Sequence, residues 1–186
     1  MATGFKKIIC IIIYVCLFFL IDSQVLADKT EIRPLFIVKQ YELESILATY
    51  NISLEEAHKL EDMIDEVSST TGIDKYHLTA MICAESSFNH FDKNGNIIKS
   101  RVGALGYMQL MPSTAKLLNV DPINPYQNVY GGSIYYKQQL KQFKDERMAL
   151  YAYNAGPGNV SRGIIPKESR LYAEKIIKLK KTWKKE

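Results

Sequence analysis

The sequence is poor in cysteine. It has three in 186 residues, and two of them, Cys10 and Cys16, fall in the first sixteen positions. If that leader is removed, only Cys83 remains, so no internal disulfide can form and the chain must rely on its apolar core. There is no internal repeat and no low-complexity linker. The longest apolar run, "IICIIIYVCLFFLI" at 8–21, is about 14 residues, short of the roughly 20 that span a membrane. No cysteine–histidine spacing matches a common zinc pattern. His77, Cys83, Glu85 and His90 are close in sequence only, so no metal site is expected. Cys83 carries no thiol-protease signature around it and reads as a small packed residue. Nucleic-acid binding has no support beyond a basic tail, "KIIKLKKTWKKE", which reads as a solvated helix end or as a wall or membrane contact.

What is present begins with the leader. Lys6 and Lys7 precede the apolar run, and "VLA" ends on the small residue Ala27. Residues 1–27 therefore read as a signal peptide cleaved after Ala27, with retention as an anchor the alternative. The chain would be exported to the periplasm or cell wall. Cleavage would leave about 159 residues with a net charge of +3 in place of +4. A mild excess of that sign suits an anionic surface such as a cell wall, and equally suits ordinary solubility. At 47% apolar, this is enough chain for one well-buried domain.

Helical signals dominate the rest. Residues 28–52 are a segment of unknown role, with "YELESILATY" a short helix candidate. "SLEE" at 53–56 is a capping box, followed by Leu54, Ala57, Leu60, Ile64 and Val67 at helical spacing and a stop at Gly72. Asp74 caps the next helix, whose inner face is Leu78, Met81 and Ile82. A long loop follows over 89–106, in which "NGNIIKS" could form a short hairpin. Pro112 starts a helix through Leu118. Others are expected over about 128–142, from Asp145 to Gly156, and from Lys167 with Leu171, Tyr172, Ile176 and Leu179 inward. The expected fold class is all-α, with room for a small β element in the 92–100 loop.

Glu85 continues the series of Leu78, Met81 and Ile82. A carboxylate there must be paired, neutralised or used, unless it turns into water at the helix end. Burial and the negative end of the helix dipole both favour its protonated form, which is what a general acid needs.

Four blocks around it carry a family resemblance. "ESSF" at 85–88, "SRVGALGYMQLMPSTA" at 100–115, "AYNAGPGNV" at 152–160 and "ESRLYAEKI" at 168–176 resemble, in order, the motifs of the soluble lytic transglycosylase family, relatives of goose-type lysozyme. The resemblance covers about residues 74–177. It implies a lysozyme-like catalytic domain over 53–186 that acts on peptidoglycan glycan strands. The bond cut would be the β-1,4 bond between N-acetylmuramic acid and N-acetylglucosamine, leaving a 1,6-anhydromuramyl end. It further implies Glu85 as acid and then base. Ser100, Gln109 and Asn154 would hold the sugar, Met108 and Met111 would line or support the groove, Tyr153 would orient Glu85 or the substrate acetamido group, and Glu168 would shape the cleft. No cofactor is implied.

The residues alone allow other roles. Ser100 and Gln109 could cap loops, Tyr151 could be core, Glu168 could be a first-turn helix charge, and Gly103, Gly106, Gly156 and Gly158 could serve backbone geometry. The chain departs from the family pattern at Tyr107, usually leucine, and in a longer loop between Glu85 and Ser100. Two rival functions stay open. One is a hydrolytic muramidase, for which Asp92 is the candidate second carboxylate. The other is a non-catalytic murein-binding subunit. Small size further suggests a monomer that opens the wall locally for a secretion, conjugation or spore-related assembly.

Overall fold

The computed structural model describes residues 40–184. The leader expected at 1–27 lies outside them. Among the described residues there are eight helices: α1 (Glu44–Ala48), α2 (Leu54–Thr71), α3 (Lys75–Ser86), α4 (Pro112–Leu118), α5 (Pro125–Phe143), α6 (Glu146–Ala155), α7 (Pro157–Ser161) and α8 (Lys167–Lys184). The all-α expectation holds.

Local chemistry sets the helix ends. The Ser53 side chain accepts the Glu56 N–H at 3.3 Å while the Glu56 carboxylate accepts the Ser53 N–H, completing the capping box. The Asp74, Asn124 and Asp145 side chains cap α3, α5 and α6 by accepting the N–H groups of His77, Gln127 and Met148. Each such cap is worth about 1 kcal/mol. Gly72 closes α2 in the left-handed conformation. The helix expected at about 128 starts earlier because Asn124 is its cap and Pro125 its first residue. Gly156-Pro157 ends α6 as expected but also opens α7, since proline is favoured at a first helical position.

Helix α3 is the centre of the domain. It packs on α2 and α8, and α6 packs on α5, α7 and α8. Every residue of α3 from His77 to Cys83 is buried, so it has no solvent stripe. Two expected core positions are wrong. Leu54 and Leu171 are 58% and 55% exposed, whereas Ala173 and Ile176 fill the inward positions of α8.

Residues 41–52, set apart in the sequence, pack onto this core. Leu43 and Leu47 are fully buried. Glu61, also fully buried on α2, accepts the backbone N–H groups of Glu42 at 2.6 Å and Leu43 at 2.9 Å. Tyr50 reaches α3, where its hydroxyl accepts the Cys83 S–H at 3.0 Å.

The long loop forms a small lobe. Isolated bridges join Phe91 to Ile97, Lys99 to Leu105 and Leu105 to Leu110, without a continuous strand among the described residues. Two buried side chains pin it. His90 donates to the Ile123 carbonyl at 2.8 Å through Nε2 and accepts the Tyr107 N–H at 3.1 Å. Asn128 of α5 accepts the Met108 N–H and donates to the Leu105 and Pro122 carbonyls. Gly106 lies between them at φ +69°, with no space for a Cβ.

Candidate active site

Glu85 is the penultimate residue of α3, and the chain turns sharply after it. Ser87 and Phe88 both take left-handed backbone angles, φ 50° and 64°. Gln109 does so too, at φ 45°. Such conformations in non-glycine residues cost about 1–3 kcal/mol each and cluster where geometry serves a site.

A cleft of about 370 Å³ brings Glu85 together with Ser100, Gln109, Tyr153 and Asn154, which are four of the residues singled out in the sequence. Val102, Ala104 and Met111 add an apolar rim. Glu85 is the one carboxylate among the lining residues. Its Oε1 accepts a 2.6 Å hydrogen bond from the Tyr172 hydroxyl of α8. Burial pushes the Glu85 carboxyl up to about 7, while the Tyr172 hydrogen bond and the positive charge of Lys175 pull the other way. Burial and the nearby Glu85 charge hold the Tyr153 and Tyr172 hydroxyls well above their ordinary value, so both stay protonated donors.

The other residues are held as firmly. The Tyr153 hydroxyl donates to the Met108 carbonyl at 2.8 Å, so its proton is spent on the cleft floor and Tyr172 is the tyrosine that orients Glu85. Asn154 accepts from the buried Ser169 hydroxyl at 2.7 Å through Oδ1, which leaves its NH2 end for the cleft. Ser100 both lines the cleft and caps its loop, its Oγ accepting the Ala104 N–H at 3.0 Å. Gln109 donates to the Gly106 carbonyl at 2.9 Å.

Two of the residues expected to line, support or shape the cleft do not line it. The Met108 side chain is fully buried under the lobe, against Gly132, so it supports the floor and does not face the cleft. Glu168 is exposed in the first turn of α8 and is not among the lining residues. Asp92 does not face Glu85 either. Its carboxylate is taken by the Asn94 and Asn96 N–H groups inside a turn. Tyr151 is buried core, and Gly103, Gly106 and Gly156 have positive φ, whereas Gly158 lies in α7. No group of histidine, cysteine, aspartate and glutamate among the described residues is arranged to hold a metal. Ser169 and the role of Tyr172 were not read from the sequence. The signal for Tyr172 was present, since it is the tyrosine four residues after Glu168 in the fourth block.

Residues 62–176 match the family model of the transglycosylase SLT domain. The chain belongs to this family. A transglycosylase of Enterobacteria phage PRD1 is 33% identical over 118 residues, covering 63% of this chain and 41% of that protein. The soluble lytic murein transglycosylase of Escherichia coli K12 is 32% identical over 121 residues, 58% of this chain and 18% of that protein. The chain thus spans less than half the length of these curated relatives. Among solved structures, lytic transglycosylase Slt of Pseudomonas aeruginosa, an inactive mutant, superposes with a TM-score of 0.57 at 25% identity, over 67% of this chain and 24% of that one. The 70 kDa soluble lytic transglycosylase of Escherichia coli gives 0.55 at 28% identity with the same coverage. The lysozyme-like, all-α fold of this SLT family domain is the one expected from the sequence.

Proposed function

We propose that this SLT-family chain is a peptidoglycan lytic transglycosylase. It cuts the β-1,4 bond between N-acetylmuramic acid and N-acetylglucosamine and leaves a 1,6-anhydromuramyl end. The observation that carries this reading is a lone cleft carboxyl, Glu85, raised to about 7 by burial and held by Tyr172. A hydrolase of the usual kind works with two carboxyl groups flanking the bond. Here the cleft offers one, and Asp92 is committed to its turn.

The steps follow from that single group. Tyr172 occupies Oε1, so the proton sits on Oε2. Glu85 gives it to the glycosidic oxygen as the C1–O bond breaks. The resulting carboxylate takes the proton of the muramyl C6 hydroxyl, whose oxygen closes on C1. Glu85 ends protonated as it began, and no water is consumed. The substrate acetamido group assists at C1, and the NH2 end of Asn154, fixed by Ser169, serves as donor to a sugar carbonyl or hydroxyl. Ser100 and Gln109 stand on the lobe wall to position the same sugar. Proton transfers suffice, so no cofactor is invoked. Export with cleavage after Ala27, a monomeric enzyme and service to a wall-crossing assembly belong to the same reading.

The test is mass spectrometry of soluble products from purified murein, with Glu85→Gln in parallel. Anhydromuramyl ends that vanish in the variant are expected. Reducing ends, heavier by one water, would make the protein a muramidase. Binding without release would make it a non-catalytic murein-binding subunit.

A further inference from the structure

A second cavity of about 350 Å³ shares no lining residue with the catalytic cleft. Five of its residues, Tyr50, Asn51, Ile52, Glu56 and Leu60, precede the family-matched region at 62–176. Tyr107, the departure from the usual leucine, forms another part of the wall, and the lengthened loop supplies the rest. The cavity thus joins the segment before the matched region to the lengthened loop and Tyr107 within it.

Its walls combine flat apolar faces with hydrogen-bond acceptors. Phe91 is 42% exposed, unusual for a ring of that size, and is held edge-on to His90 at 4.6 Å. Tyr107 leans on the same imidazole at 4.8 Å. Both His90 nitrogens are engaged, so the ring acts as a rigid strut for two aromatic faces. Asn89 spends its NH2 group on the Ser86 and Ser87 carbonyls, which leaves only Oδ1 to offer. Glu56 and Asp92 add carboxylate oxygens, and neither lysine nor arginine lines the cavity. Those carboxylates already accept bonds from Ser53 and from the Asn94–Asn96 turn, so their charge is partly offset and their remaining lone pairs suit a neutral donor. A pyranose ring meets these demands. Its C–H face lies on an aromatic ring, and its hydroxyls donate outward.

We infer that this cavity is an accessory binding site for one N-acetylated aminosugar of a glycan strand, separate from the cleft that cuts the strand. The choice of sugar rests on the glycan reading proposed above. The cavity edge at Ser87 is two residues from Glu85, so their Cα atoms are within about 8 Å, close enough for one strand to meet both sites.

The test uses isotope-labelled Glu85→Gln protein titrated with the β-1,4 tetramer of N-acetylglucosamine and read by amide chemical shifts. Two sets of shifts are expected, one at Ser100, Gln109 and Asn154, the other at Asn89, Asp92 and Tyr107. Phe91→Ala and, separately, Tyr107→Leu should raise the Kd of the second set tenfold or more. Movement of the first set alone in the parent protein overturns the inference. So does a second set whose Kd neither substitution changes. A second set that answers to spermidine and not to the tetramer makes the cavity an amine site and also overturns it. The protein in this test cannot cleave, so the outcome is independent of the product assay. Anhydro products without a second set sink this inference alone, and a second set without anhydro products sinks the transglycosylase reading alone.

Discussion

Replacing Glu85 by glutamine should stabilise the protein, and only above a defined pH. The carboxyl titrates near 4.5 when unfolded and at about 7 in the fold, chiefly because burial penalises its charge. Below 4.5 it is protonated in both states and costs nothing. Between 4.5 and 7 the unfolded chain ionises while the fold holds its proton, so stability drains away as pH rises. Above 7 the loss is complete. At about 1.4 kcal/mol per pH unit the full cost is about 3.5 kcal/mol. Glutamine does not titrate, and its carbonyl oxygen can still accept from Tyr172. Glu85→Gln should thus match the parent at pH 4 and exceed it by about 3.5 kcal/mol at pH 8, or roughly 7–14 °C in Tm for a domain of this size. Urea unfolding at pH 4, 6 and 8 measures it. A difference that does not vary with pH, or a variant less stable at pH 8, would refute the account of Glu85 as a buried acid.

Three further outcomes follow from named contacts. Tyr172→Phe removes a hydrogen bond to the ionised form of Glu85, worth about 1.5–3 kcal/mol. The alkaline limb of kcat/KM should therefore move up by about 1–2 pH units while kcat falls, and a limb that stays put or moves down would count against the assignment. Glu146 is held at about 2 by His77 and Lys180, so its contribution is present above pH 4.5 and disappears as pH falls through 2. Discounted for its partial exposure, Glu146→Gln should cost about 1 kcal/mol at pH 7, and the gap should close on acidification in denaturant titrations. Gly106→Ala places a Cβ within 3 Å of the His90 ring and the Asn128 amide at positive φ. It should cost about 3 kcal/mol or more, seen as a fall in Tm, and should abolish murein cleavage.

The sequence revealed most where local chemistry decides structure. The capping residues Ser53, Asp74 and Asp145 are autonomous signals, and each helix starts where they put it. Glu85, Ser100, Gln109, Tyr153 and Asn154 could be named because the four blocks carry them, and they do line one cleft. What failed depends on neighbours distant in the chain. Leu54 and Leu171 have the right spacing but no helix opposite them. Periodicity cannot distinguish α3, enclosed on all sides, from a striped helix. The grip of Tyr172 on Glu85 spans 87 residues of sequence: the fourth block marks the tyrosine, but nothing local to it names its partner.

The clasp at Glu61 bears on where this chain can be cut. The family match starts at residue 62, and the clearest helix signal starts at 53, so trimming at either point looks natural. A fragment beginning at Ser53 would keep Glu61 in the interior while discarding both N–H groups that satisfy it, and would uncover the sockets of Leu43 and Leu47. Lys75, 3.9 Å away, would remain as its only charged partner among the described residues, and losing the two charge-assisted hydrogen bonds costs about 1.5–3 kcal/mol each, a large part of a domain's whole stability. The smallest piece that can be expected to fold is therefore set by two backbone hydrogen bonds, about twenty residues upstream of where homology begins.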